Sequence, residues 1–177
     1  MDIKLITAFY KGLFLFLVTV AMYSCKSDPT PKTATEPKTK LSTPSFVADS
    51  AYANIQRQLD FGFRVPGTAA HKEMQQWAVD RFKSMGAKVI TQDFKVSFFD
   101  QKNVPCTNII AQFFPDKPKR IMLAAHYDSR MVAEKDDERK DEPIPGADDS
   151  ASGVAVLLEI ARLINENGID IGVDFMF

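Results

Sequence analysis

One imidazole and a small group of carboxylates carry most of the chemistry this chain could perform. His126-Tyr-Asp128 follows directly on an apolar run, and 20 residues further Asp148 and Asp149 lie within Pro145-Gly-Ala-Asp-Asp149-Ser-Ala-Ser-Gly153. A carboxylate two residues from a histidine can reach back to one ring nitrogen, fix the tautomer and leave the other nitrogen free for a metal ion. Asp149, at the start of a helical stretch, is the residue best placed to grip a cation. The same residues have an ordinary reading. An aspartate ahead of a helix is commonly a cap, and a histidine at a strand end is commonly hydrogen-bonded within its loop. Two donors also fall short of the three or four protein ligands that zinc takes. Spacing alone leaves both readings open.

Positioning these groups requires elements that the apolar periodicity supplies. Ala48, Tyr52, Ile55 and Leu59 recur at helical spacing, and Phe61-Gly-Phe-Arg-Val-Pro-Gly67 then breaks the helix. Thr68 is an N-cap for a second helix carrying Met74, Trp77, Ala78, Phe82 and Met85 on one face, stopped by Gly86. Residues 89–98 alternate as a strand with one wet face, clearest at Phe94, Val96 and Phe98; a turn at 100–103 and a second strand over 107–113 follow. Residues 121–125 are apolar without alternation, as in an interior strand covered on both faces. Residues 150–166 form a broadly apolar helix ended by Gly168, and 173–177 begin another strand. Strand, loop, helix, strand is a βαβ unit, so the expected class is α/β: a mixed, mostly parallel twisted sheet with helices on both faces. In such sheets chemistry gathers at the carboxyl ends of the strands, where His126 falls.

Bulk properties narrow the function classes. The 177 residues are 45% hydrophobic with a net charge of -1, enough apolar material for one domain and too little positive charge for a nucleic-acid footprint. Nucleic acid is set aside as a partner. Residues 1–25 place Lys4 and Lys11 before a short apolar run and end at Tyr23-Ser24-Cys25, the order of a lipoprotein-type export signal with Cys25 as the lipidated residue. That run is shorter than the roughly 20 residues needed to span a bilayer. Residues 26–43 shift to Pro, Thr, Lys and Ser, a tether that would hold a domain over 44–177 off a membrane surface. The expected location is exported and lipid-anchored in the cell envelope, on the periplasmic or outer-membrane face. Cys106 reads as a buried strand thiol, residues 134–142 as a solvated loop, and Arg64 and Arg130 as exposed loop arginines; His71 is given no role.

His126-Tyr-Asp128-Ser followed by Pro145-Gly-Ala-Asp-Asp149-Ser-Ala-Ser-Gly153 resembles the zinc aminopeptidases with paired metals and the related glutaminyl cyclases. With Phe61-Gly-Phe-Arg-Val-Pro-Gly-Thr68 and Pro105-Cys-Thr-Asn-Ile-Ile-Ala111, residues 46–177 are most similar to bacterial glutaminyl cyclases of the animal-like type. The resemblance implies zinc: one ion held by Asp149 in a cyclase, with His126 a bystander, or two ions bridged by Asp149 in an aminopeptidase, with His126 on the second and Asp128 orienting it. It also implies peptide or protein N-termini as substrates, and conversion of N-terminal glutamine to pyroglutamate with loss of ammonia. The family's acidic pair and later histidine would lie beyond Phe177. The expectation for the 177-residue chain alone is therefore an inactive fragment, with a sheet edge uncovered at its last strand.

Overall fold

Burial of alternate or periodic apolar side chains builds each element of this computed structural model, which describes residues 43–99 and 101–177. The export signal, most of the tether and Cys25 lie outside the described residues. In chain order the elements are α1 (Ala48–Leu59), α2 (Ala69–Ser84), β1 (Lys88–Val96), β2 (Val104–Phe113), β3 (Arg120–Ala124), α3 (Gly153–Asn167) and β4 (Gly172–Met176). Thr68 caps α2 as expected, its hydroxyl accepting from the His71 N–H at 3.2 Å. Gly86, at φ +77, ends the turn that follows this helix.

The four strands form one mixed sheet in the order β1-β2-β4-β3. β2 is antiparallel to both β1 and β4, whereas β3 and β4 are parallel, so β3, α3 and β4 make the expected βαβ unit. The order corrects two expectations. The last strand is an interior strand between β2 and β3. The sheet's edges are instead β1 and β3, and on β3 Ile121 and Met122 are exposed. An apolar run without alternation marks a strand meant for cover on both faces, and that cover is not supplied by residues 43–177.

The core forms where α2 and α3 meet β2 and β4. Phe82 of α2 is fully buried, its ring 5.6 Å from that of Phe175 and 5.1 Å from that of Phe177; Phe113 meets Phe175 edge-on. Val154, Leu158 and Ala161 of α3 join the same cluster. The β3–β4 pairing is reinforced by a forked ion pair between Arg120 and Asp174 at 2.6 Å, to which Gln112 of β2 adds a hydrogen bond. Arg120 beside it holds the Asp174 carboxyl below its ordinary range.

α1 departs from its expected orientation. Its apolar residue Tyr52 is exposed, and the buried face carries Ala51, Asn54 and Gln58. The helix is docked through polar contacts: the Val47 N–H donates to the buried Glu159 of α3 at 3.0 Å, and Glu159 is paired in turn with Arg162 at 2.5 Å.

Arg162 is the main reason the Glu159 carboxyl is held at about 2, against an ordinary value of 4.5. A depressed folded-state value means that the stabilisation is complete above the ordinary value and fades as pH falls toward the folded one. Glu159→Gln is expected to remove that part of the acid-side stability change, measured by denaturant unfolding at a series of pH values. Phe82→Ala is expected to cost about 3–5 kcal/mol, the range for emptying an aromatic core site, whereas Tyr52→Ala should stay within about 0.5 kcal/mol; chemical denaturation checks both.

Candidate metal centre

His126 stands just past the carboxyl end of β3, where the Ala125 N–H still pairs with the Met176 carbonyl and the Phe177 N–H with that of Ile109. Alternation along this segment sorts its side chains. Tyr127 turns inward, buried, donating its hydroxyl to the Thr107 carbonyl at 2.8 Å and stacking on His71 at 4.7 Å. His126 and Asp128 turn outward. Burial pushes the Tyr127 phenol up and the His71 imidazole down, the Asp128 charge partly opposing the latter, so this inner layer is a neutral support for the outer one.

The outer layer is a chain of three side chains. Asp128 Oδ1 lies 3.2 Å from His126 Nδ1, and Asp149 Oδ1 lies 2.7 Å from His126 Nε2. A neutral imidazole can donate at only one of these contacts. With Nδ1–H directed to Asp128, Nε2 keeps a lone pair that could bind a cation beside the Asp149 carboxylate; with Nε2–H directed to Asp149, the 2.7 Å contact is a hydrogen bond. All three side chains are open to solvent, from 42% exposure at Asp128 to 62% at Asp149, so an ion can reach them. Among the described residues no group of three or more His, Cys, Asp or Glu side chains is arranged to hold a metal ion together, so the site offers at most two donors, on His126 and Asp149. The donor types suit zinc, and they make up part of a ligand set.

The structure decides against Asp149 as a helix cap. Asp149 and Ser150 have non-helical backbone angles, a cis peptide joins them, and the helix begins only at Gly153 with no side-chain cap on its first turn. The carboxylate is spent on His126. The Ser150 hydroxyl donates to the His126 carbonyl, tying the two halves of the site together. Asp148 is exposed, and its carbonyl accepts from Ser152 Oγ at 2.6 Å.

Other assignments change. Arg64 is fully buried and donates to the carbonyls of Gln58, Gly62, Tyr127, Pro145 and Gly146, at 2.9–3.4 Å. The expectation of an exposed loop arginine fails because the loops fold around it. A lone arginine inside an apolar, glycine- and proline-rich stretch was the available signal. Gln58, also buried, donates to the Ala151 carbonyl at 2.9 Å. Gly146 must be glycine: at φ +65 a side chain there would lie 2.9 Å from the Asp149 carbonyl and 3.0 Å from the Arg64 guanidinium. Arg130 pairs with Glu134 in the exposed 130–142 loop. Cys106 is half-buried, on the wall of a hollow of about 290 Å³ that Phe94, Val96, His126 and Asp128 also line. The alternating apolar residues of β1 thus face this hollow, where the sequence suggested ordinary core.

This architecture is that of the zinc exopeptidases and glutaminyl cyclases. The chain matches a glutaminyl cyclase from Tannerella forsythia at 43% identity and a TM-score of 0.74, covering 76% of this chain and 47% of that one. A Zn-dependent exopeptidase from Parabacteroides distasonis matches equally, at 43% identity and a TM-score of 0.74, covering 77% and 47%. Residues 108–177 match the model of Peptidase family M28. The uncharacterized protein YfbL of Escherichia coli is 40% identical over 95 residues, 54% of this chain and 27% of that protein. The chain spans about half the length of the solved structures it matches.

Asp128→Asn keeps the shape but no longer fixes the His126 tautomer. Zinc affinity at a centre that uses His126 is expected to fall about 10–100-fold, as for other partners of metal-bound histidines, measured by calorimetric titration against the unaltered protein.

Proposed function

We propose that this chain contributes its fold and part of its zinc site to a glutaminyl-peptide cyclotransferase, which converts N-terminal glutamine of peptides or proteins to pyroglutamate with release of ammonia. The observation that supports this reading is the fold, shared at 43% identity with a glutaminyl cyclase, with Asp149 at the strand-end site. In the reaction the α-amine attacks the side-chain amide carbon, the new carbon–nitrogen bond closes the ring, and the amide nitrogen departs as ammonia. Bound zinc supplies Lewis-acid polarisation of that amide carbonyl. Asp149 would hold the ion, and Asp128 keeps the His126 ring fixed beside it. The hollow next to His126, with its Phe94 and Val96 wall, offers room for the peptide that follows the glutamine. The proton-transferring acid belongs, on this reading, to the protein at the length of its solved relatives.

A second reading has its own support. In a zinc aminopeptidase Asp149 would bridge two ions and His126 would hold the second, and the 2.7 Å contact between them fits residues that share one centre. The Zn-dependent exopeptidase of the same fold supports it equally.

For location, we propose export and attachment to the cell envelope through lipid on Cys25, as the order of charge, apolar run and cysteine in residues 1–25 suggests. Among the described residues no helix is long and apolar enough to cross a membrane.

A chimera tests the chemistry: residues 44–177 replace the matching part of the Tannerella forsythia cyclase. It is expected to release ammonia from a glutamine-initiated peptide with one zinc per chain, and Asp149→Ala should lower kcat/KM about 100–1,000-fold, the scale of a lost catalytic electrostatic group. Two tightly bound zincs, one lost in His126→Ala, with cleavage of the first peptide bond instead of ammonia release, would move the assignment to the aminopeptidase. For the anchor, Cys25→Ala is expected to shift the protein from the detergent phase to the aqueous phase in Triton X-114 partition.

A further inference from the structure

Two buried side chains from the first quarter of the described residues grip the loop that carries Asp149, one on each side of it. Arg64 donates to the carbonyls of Pro145 and Gly146, at 3.0 and 2.9 Å, ahead of Asp149. Gln58 donates to the carbonyl of Ala151, behind it. The same guanidinium donates through Nε to the carbonyl of Tyr127, the residue between His126 and Asp128. The Arg64 carbonyl accepts the Ser129 N–H at 3.1 Å, and the Gly146 carbonyl also accepts the Ala151 N–H, closing the loop upon itself.

These contacts make one rigid fork span both halves of the centre. Neither Asp149 nor His126 is held by packing, since both side chains are about half exposed or more. Their 2.7 Å contact therefore depends on how their backbones are fixed. From these bonds we infer that Arg64 is the positioning residue of the metal centre: it sets the spacing between the His126 and Asp149 backbones without touching either side chain. A guanidinium suits this task because its five donors are fixed in one plane and can satisfy carbonyls from separate segments at once. Burial lowers the Arg64 guanidinium from its ordinary value, and the charge of Asp128 partly opposes that. Among the described residues no carboxylate bonds the guanidinium directly; its partners there are main-chain oxygens, as positioning of backbone requires.

The spacing claim stands on geometry alone, and only the zinc measurement below rests on the zinc reading. The test uses the isotope-labelled 177-residue chain. Amide hydrogen exchange is followed at Ser129 and Ala151, with Ile109 of β2 as the reference far from the fork. Arg64→Met is expected to speed exchange at Ser129 and Ala151 at least tenfold relative to Ile109; unchanged ratios overturn the inference. Zinc titration, read from the NMR signals of His126 and Asp149, is expected to show a midpoint at least tenfold weaker in Arg64→Met. Arg120→Met, which breaks the distant Arg120–Asp174 pair, should keep its midpoint within twofold of the unaltered chain. An equal weakening in both variants would reduce Arg64 to a general contributor to stability and overturn the inference. If Arg64→Met does not fold, Arg64→Lys decides, because it keeps the charge and loses the fork: faster exchange at Ser129 and Ala151 is expected, and unaltered exchange refutes the inference. An unaltered chain whose His126 and Asp149 signals ignore zinc would sink the zinc reading, leaving Arg64 to be judged by exchange.

Discussion

A guanidinium ion enclosed by main-chain carbonyls is the constraint around which the rest of this molecule is arranged. Removing Arg64 from water is costly unless its nitrogens find acceptors, and all three find carbonyls, from the end of α1, the loop after it, the segment past β3 and the loop before α3. Those four segments converge here, tied also by the Gln58–Ala151, Ser129–Arg64 and Ser150–His126 hydrogen bonds. Once they do, the sheet's carboxyl edge acquires a floor, and the residues that alternate outward from that floor are His126, Asp128 and Asp149. The apolar core fixes where the sheet and helices lie; the polar layer above it fixes where the carboxylates and imidazole lie.

The two layers obey different rules. Below, Phe82, Phe113, Phe175 and Phe177 fill space among themselves, and the Arg120–Asp174 fork locks the parallel pair of strands. Above, three buried polar side chains are tied to backbone: Tyr127 to Thr107, Gln58 to Ala151, Arg64 to five carbonyls. Directional bonds of this kind set a geometry that packing alone leaves looser. The exposed triad then needs little support of its own, and its residues remain free to exchange one bonding partner for another, which a metal ligand must do.

Periodicity in the sequence located the helices and strands to within a few residues, because burial of one face is a strong and local signal. Thr68 and Gly86 marked the limits of α2 for the same reason. The carboxyl edge of the βαβ unit pointed to His126, and two-residue spacing correctly paired it with Asp128. What periodicity could not reveal was anything decided by long-range polar contact. Tyr52 looked like core and is exposed, because α1 docks through Gln58 and Glu159. Arg64 looked like a surface residue, because nothing near it in sequence announces the carbonyls of residues 127, 145 and 146. Phe94 and Val96 alternated as core residues do, yet the face they form lines a hollow, a distinction that only the position of the neighbouring strand end makes. Asp149 was expected at the start of a helix, yet its backbone is not helical and the helix starts four residues later.

Gly146 and Asp149, three residues apart, are constrained by unrelated demands. The first sits in a left-handed turn with no room for a methyl group, the second projects a carboxylate into solvent. A screen that scores only how much protein accumulates in the cell would reject nearly every replacement at the glycine and pass most of those at the aspartate. A screen that scores turnover would reject both. The difference between two such maps, taken position by position, would separate architecture from chemistry along this loop.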